Sequence, residues 1–180
     1  MKKLMLSVLG AVALGLGGCD GASSRTQEPT GPLPDFPAEA QGQRFELRLK
    51  GVNNPGYASA LVQVRRISVT TMEGEALPVR LKSRFPMELT QTEQAHLVGL
   101  FLVPEGVERV KVEVSFDDFG GYEAASGGGV IDTRVAPLRF EAPLEYLAER
   151  SRAVVHLDLG QSLKTQGEAK LLLPSLDVRY

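Results

Sequence analysis

From Arg44 onward, apolar residues recur at every second position, and no long stretch carries the 3.6-residue period of an amphipathic helix. Phe45, Leu47 and Leu49 alternate with Glu46, Arg48 and Lys50, and the turn-forming residues Gly51, Asn53, Asn54, Pro55 and Gly56 follow. Residues 61–72 are rich in β-branched side chains. Their apolar phase slips at Arg65 and Arg66, from Val62 and Val64 to Ile67 and Val69. In a period-two pattern, a one-residue slip predicts a β-bulge or a strand that passes from one sheet to another. Residues 97–103 are apolar throughout apart from Gly99, as in a buried strand, and Val110, Val112, Val114 and Phe116 alternate cleanly. Further strands are expected near 77–81, 139–142, 153–159, 170–173 and 175–180. Pro143 heads a short helical spacing over 143–150, and Thr90 with Glu93 forms a capping-box pattern that predicts a helical turn over 91–96. The expected fold is all-β: a single antiparallel β-sandwich of about seven to eight strands with one or two short helices, spanning 44–180.

The N-terminus has a different grammar. Lys2 and Lys3 precede an apolar run from Leu4 to Leu16. That run is shorter than the about 20 residues a membrane-crossing helix needs, and it has the length of a secretion-signal core. Leu16, Gly17, Gly18 and Cys19 follow, and Cys19 is the only cysteine among the 180 residues, so no intramolecular disulfide is available. Residues 20–43 hold Pro29, Pro32, Pro34 and Pro37 among Gly, Ser and Thr, with Phe36 alone as a large apolar residue. Such a segment reads as a tether with a reach of roughly 25–30 Å when flexible.

Leu16-Gly17-Gly18-Cys19 resembles the bacterial lipobox. The resemblance implies a signal peptide over 1–18, cleavage before Cys19, acylation of its sulfur, and a lipidated tether over 19–43. Two or three acyl chains, at about 0.8 kcal/mol per buried methylene, hold a protein on a membrane where one chain alone does not. Asp20, next to the cysteine, resembles an inner-membrane retention signal of enterobacteria. Leu102 to Val110 and Val154 to Leu163, with Leu171-Leu172-Leu173-Pro174, resemble an uncharacterised family of secreted lipoprotein domains. The resemblance implies a prealbumin-like, immunoglobulin-like or carbohydrate-binding-like sandwich and no particular reaction. Gly160 stands where that family's ending has a second aspartate.

The chain has 20 Lys and Arg against 22 Asp and Glu, so no global positive charge points to nucleic acid. No nucleophile elbow, zinc-binding helix, EF-hand or phosphate-binding loop is present. Asp117, Asp118 and Asp132 flank a Gly-rich excursion and are weak candidates for calcium, which takes six to eight oxygen ligands; a solvated loop is the plainer reading. His156 and Asp158 share one face of a strand, as an acid–base pair or as ordinary surface neighbours. Arg48, Lys50, Arg65, Arg66, Arg80, Lys82 and Arg84 form a basic face for an anionic glycan or lipid, or else pair across strands with Glu46, Glu73, Glu75 and Glu113. Tryptophan is absent, leaving Tyr57, Tyr122, Tyr146 and Tyr180 as platforms for sugar. The expected function is therefore a lipid-anchored cell-envelope protein, on the periplasmic face of the inner or outer membrane in a Gram-negative cell. Its domain is expected to be non-enzymatic, without a cofactor other than the lipid on Cys19, and to meet a protein or glycan partner. The alternatives are a calcium-dependent or carbohydrate-binding module and a hydrolase of unrecognised type.

Overall fold

The computed structural model describes residues 36–37 and 40–180, which belong to the second of two units, Met1–Leu33 and Pro34–Tyr180. The signal segment, the lipobox with Cys19 and most of the tether lie outside the described residues. In chain order the strands begin with β1 (Gln43–Val52), β2 (Tyr57–Val62), β3 (Val64–Thr71), β4 (Val79–Leu81), β5 (Met87–Glu88), β6 (His96–Val103) and β7 (Arg109–Phe116). They continue with β8 (Phe119–Ala124), β9 (Gly127–Asp132) and β10 (Leu138–Pro143). Helix α1 (Leu144–Arg150), β11 (Arg152–Asp158), helix α2 (Leu159–Ser162), β12 (Leu163–Gln166), β13 (Ala169–Leu172) and β14 (Leu176–Arg179) complete the domain.

These elements form three sheets, in the orders β14-β11-β1-β6-β4, β10-β7-β3 and β12-β13-β9-β8-β2-β5. The fold is all-β, but it is not the single antiparallel sandwich of about seven to eight strands that the alternation suggests. Fourteen strands are present among the described residues, and the β1–β11 and β9–β13 ladders are parallel. Sheet switching accounts for much of the difference. The run 57–71 is cut at Gln63 into β2 and β3, and the run 109–124 is cut at Asp117 and Asp118 into β7 and β8. A third run, 127–143, is divided between β9 and β10. Each half of a run pairs in a different sheet. The register shift between Val64 and Arg66 is the irregularity foreseen from the phase slip, and here the bulge and the change of sheet occur together.

The inward side chains merge into one core. Phe45, Leu47 and Leu49 of β1, Ala153, Val155 and Leu157 of β11, and Val110, Val112, Val114 and Phe116 of β7 all belong to it. Phe45 and Phe101 pack with ring centroids 5.5 Å apart. Strand β6 is buried on both faces, since Leu100 and Leu102 are hidden as thoroughly as Phe101 and Val103. That double burial explains its unbroken apolar run. Close approaches fix the layers. A Cβ on Gly99 would lie 2.5 Å from Cδ1 of Ile67, where β6 crosses β3, and one on Gly51 would lie 2.0 Å from the Leu89 carbonyl oxygen.

Helix α1 forms where Pro143 precedes helical spacing, buries Leu147 and ends at Ser151 in the left-handed conformation (φ 52°). The helical turn expected over 91–96 is absent, and β6 already begins at His96. In its place the segment makes isolated turns, with the Thr92 N–H donating to the Thr90 carbonyl at 3.0 Å and the Gln94 N–H to the Gln91 carbonyl at 2.9 Å, while Thr90 donates its hydroxyl and its N–H to the Glu88 carboxylate at 2.8 and 3.0 Å. The Ser59 hydroxyl (2.6 Å) and the Ala60 N–H (2.8 Å) donate to the same carboxylate. Burial alone would raise the Glu88 pKa, but these donors prevail and hold it at about 2.

Gly51→Ala should destabilise the domain by about 1–3 kcal/mol in chemical denaturation, because backbone must move to admit the methyl group. Gly121→Ala, whose Cβ meets nothing nearer than 4.0 Å, should change stability little. The depressed Glu88 pKa means that its stabilisation is complete above the ordinary carboxylate range and is lost as pH falls from there toward about 2. Glu88→Gln should therefore lower the melting temperature at neutral pH and flatten its fall between about pH 5 and 2.

Candidate functional site: an arginine-lined hollow where strands change sheets

Where the three runs bend from one sheet to the next, the ladder is interrupted and the backbone is satisfied in other ways. The Asp117 N–H donates to the Gln63 carbonyl at 2.8 Å, and the Thr133 N–H donates to the Asp118 carbonyl at 3.2 Å. The Thr133 hydroxyl closes on the Asp117 carbonyl. On the surface of this bend lies an open hollow of about 530 Å³, lined by Arg65, Arg66, Ser115, Phe116, Asp118, Thr133, Arg134 and Pro137.

Arg65 donates to Asp118 through one nitrogen at 3.1 Å. Arg134 grips Asp132 in a fork, with Nε 3.0 Å from Oδ1 and Nη2 2.7 Å from Oδ2, and its own N–H adds a third contact at 3.0 Å. The guanidinium hydrogen bonds, then the backbone one, hold the Asp132 carboxyl at about 2. The Arg134 side chain also lies over the Phe119 ring, 4.7 Å from its centroid. Arg66 is the least engaged: it is 70% exposed and comes only within 3.8 Å of Glu113, which Arg139 already holds at 2.8 Å.

The excursion over 117–132 folds back as a hairpin and sets Phe119 opposite Asp132, so Asp118 and Asp132 do become neighbours. Both carboxylates are turned to arginine, while Asp117 contributes its main chain to the bend. Among the described residues, no group of three or more His, Cys, Asp and Glu is arranged to hold a metal ion.

His156 and Asp158 share the outer face of β11, but each has its own business. Asp158 caps α2 by accepting from the Gln161 N–H at 2.8 Å, and it accepts from Asn53 Nδ2 at 2.7 Å. The Asn53 bond first, then the backbone bonds, lower its pKa. His156 lies between Lys50 and Asp177 in neighbouring strands, and burial, with Lys50 and Arg179 adding to it, lowers its pKa. The anticipated basic face divides in two. Arg48, Lys50 and Arg80 lie in the five-stranded sheet, followed closely by Lys82, whereas Arg65 and Arg66 lie in the three-stranded one; Arg84 follows β4 in a loop. Of the tyrosines, Tyr57 and Tyr122 pack edge to face at 5.8 Å, and Tyr146 and Tyr180 pack with tilted rings at 5.7 Å.

Arg134, Ser115, Thr133 and Pro137 were not singled out by sequence. Thr133, Arg134 and Pro137 come from the link between β9 and β10 and Ser115 from β7, and the bend brings them beside Arg65 and Arg66 of β3. The phase slip at Arg65 and Arg66 was the one local sign of that bend. Comparison with known proteins returns no matching family model, no matching curated protein and no matching solved structure. Among the described residues, no helix is long and apolar enough to cross a membrane.

If Asp158 serves as a cap and not as an acid–base partner, Asp158→Ala should lower the melting temperature by roughly 2–4 °C. His156→Ala should leave it within about 1 °C, as for a surface change without a structural role.

Proposed function

We propose that this chain is a lipid-anchored cell-envelope protein whose folded domain binds a partner and does not catalyse a reaction. The anchor rests on the coincidence of a basic start, an apolar run, small residues and Cys19 in the lipobox pattern. The resemblance of Leu102 to Val110, Val154 to Leu163 and Leu171 to Pro174 to secreted lipoprotein domains supports the same reading.

The observation that carries the binding role is the way charge is used at the hollow. Asp118 and Asp132 are each paired with a guanidinium, and Asp158 caps a helix, so these carboxylates are already engaged within the domain. The guanidinium groups of Arg65 and Arg66, by contrast, face outward with donors to spare. Preformed, exposed donors around a concavity suit recognition of an anionic group. Near the membrane, the acyl chains supply the hold and leave the domain surface for the partner.

Expression of the full chain tests the anchor. Cys19→Ser should move the protein from the membrane fraction to the soluble fraction and abolish labelling with radioactive palmitate. Retention of both in the variant would refute lipidation.

A further inference from the structure

Resting on the binding role just given, we propose that the hollow receives the carboxylate of an acidic sugar unit in an envelope polysaccharide. Charge balance selects the ligand. Arg65 and Arg134 are compensated by Asp118 and Asp132, whereas Arg66 meets Glu113 only at 3.8 Å and shares it with Arg139. The site therefore offers an excess of about one positive charge, which one carboxylate satisfies. A phosphate dianion would bring a second negative charge up against Asp118. The planar guanidinium also matches a carboxylate edge to edge, two N–H groups to two oxygens.

Size and lining point to a sugar attached to that carboxylate. At about 530 Å³ the hollow is far larger than a small ion and falls within the range of small-molecule sites. Ser115 supplies a hydroxyl, and Phe116 and Pro137 supply apolar wall. Phe119, 55% exposed, lies under the Arg134 guanidinium that lines the hollow. Apolar wall beside hydroxyl and guanidinium donors suits a pyranose, whose C–H face is apolar and whose edge is polar.

The surface beyond the rim leaves room for further units. Two residues from Phe119 along β8, Gly121 lies between Leu61 of β2 and Val130 of β9 in the ladder. Leu61 and Val130 are 37% and 46% exposed, and a Cβ on Gly121 would meet nothing nearer than 4.0 Å. The missing side chain leaves an open strip between two apolar side chains on the sheet that carries Phe119.

The test is titration of the full-length protein in detergent micelles with tri-galacturonate, followed by calorimetry. Neutral galacto-triose, inorganic phosphate and a tripeptide with a free C-terminus serve as comparisons. The acidic trisaccharide should bind at least about tenfold more tightly than the neutral one, and Arg66→Ala should weaken it by about tenfold with unchanged melting. Asp118→Asn should strengthen binding several-fold, since it frees Arg65 from its internal competitor. Equal affinity for the neutral trisaccharide, or indifference to Arg66→Ala, would overturn the proposal. Preference for phosphate or for the peptide would overturn the sugar assignment while keeping a binding domain, and no binding of any probe would remove the hollow as the binding site. Membrane release of Cys19→Ser reports separately on the anchor.

Discussion

The fold depends on one constraint: three long runs of chain must change sheets at the same place without leaving their backbone groups unpaired. A strand that bends out of a ladder exposes N–H and C=O groups whose burial without partners is costly. Gln63, Asp117, Asp118 and Thr133 meet that demand with bonds between main-chain groups and one threonine hydroxyl. Because those residues close the bend from within, the side chains around it are free to point outward. The arginine-lined hollow is thus a by-product of how the sheets are joined, and its shape is held by the fold itself.

The same economy runs through the ionisable groups. Glu88 gathers four donors from β2 and the segment after β5, Asp158 caps a helix and ties down Asn53, and Asp132 anchors Arg134. Each carboxylate replaces backbone pairing where a strand ends. At these three carboxylates charge is a means of finishing secondary structure, which is why a scan for a histidine beside an aspartate selects, in Asp158, a residue with structural work.

Much of the fold was legible. Phe45, Leu47 and Leu49, or Val110 to Phe116, announce their buried faces by alternation, and each lies in the core. The slip at Arg65 and Arg66 marked the bend itself. Strand order and direction were not legible, because period two reports which face is buried and is silent on which neighbour covers it. The parallel pairing of β1 with β11 therefore lay beyond local pattern, as did the short β12, whereas β13 and β14 fall where strands near 170–173 and 175–180 are expected. At the candidate site the aspartates were visible as a cluster, and Arg134 stands only two residues after Asp132, but the alternation does not show that it folds back onto that carboxylate. Arg65 reaches Asp118 across 53 positions, a pairing that only tertiary contact decides.

The parallel ladder from Glu46–Arg152 to Val52–Asp158 joins the first strand of the domain to one near its end. Contacts so distant along the chain form late, since closing the intervening loop costs entropy before any pairing rewards it. The central strand of the five-stranded sheet thus waits for the last quarter of the polypeptide to arrive. A chain threaded N-terminus first through a membrane pore would emerge with its keystone unset, remain extensible during passage, and lock only once its tail had cleared the channel.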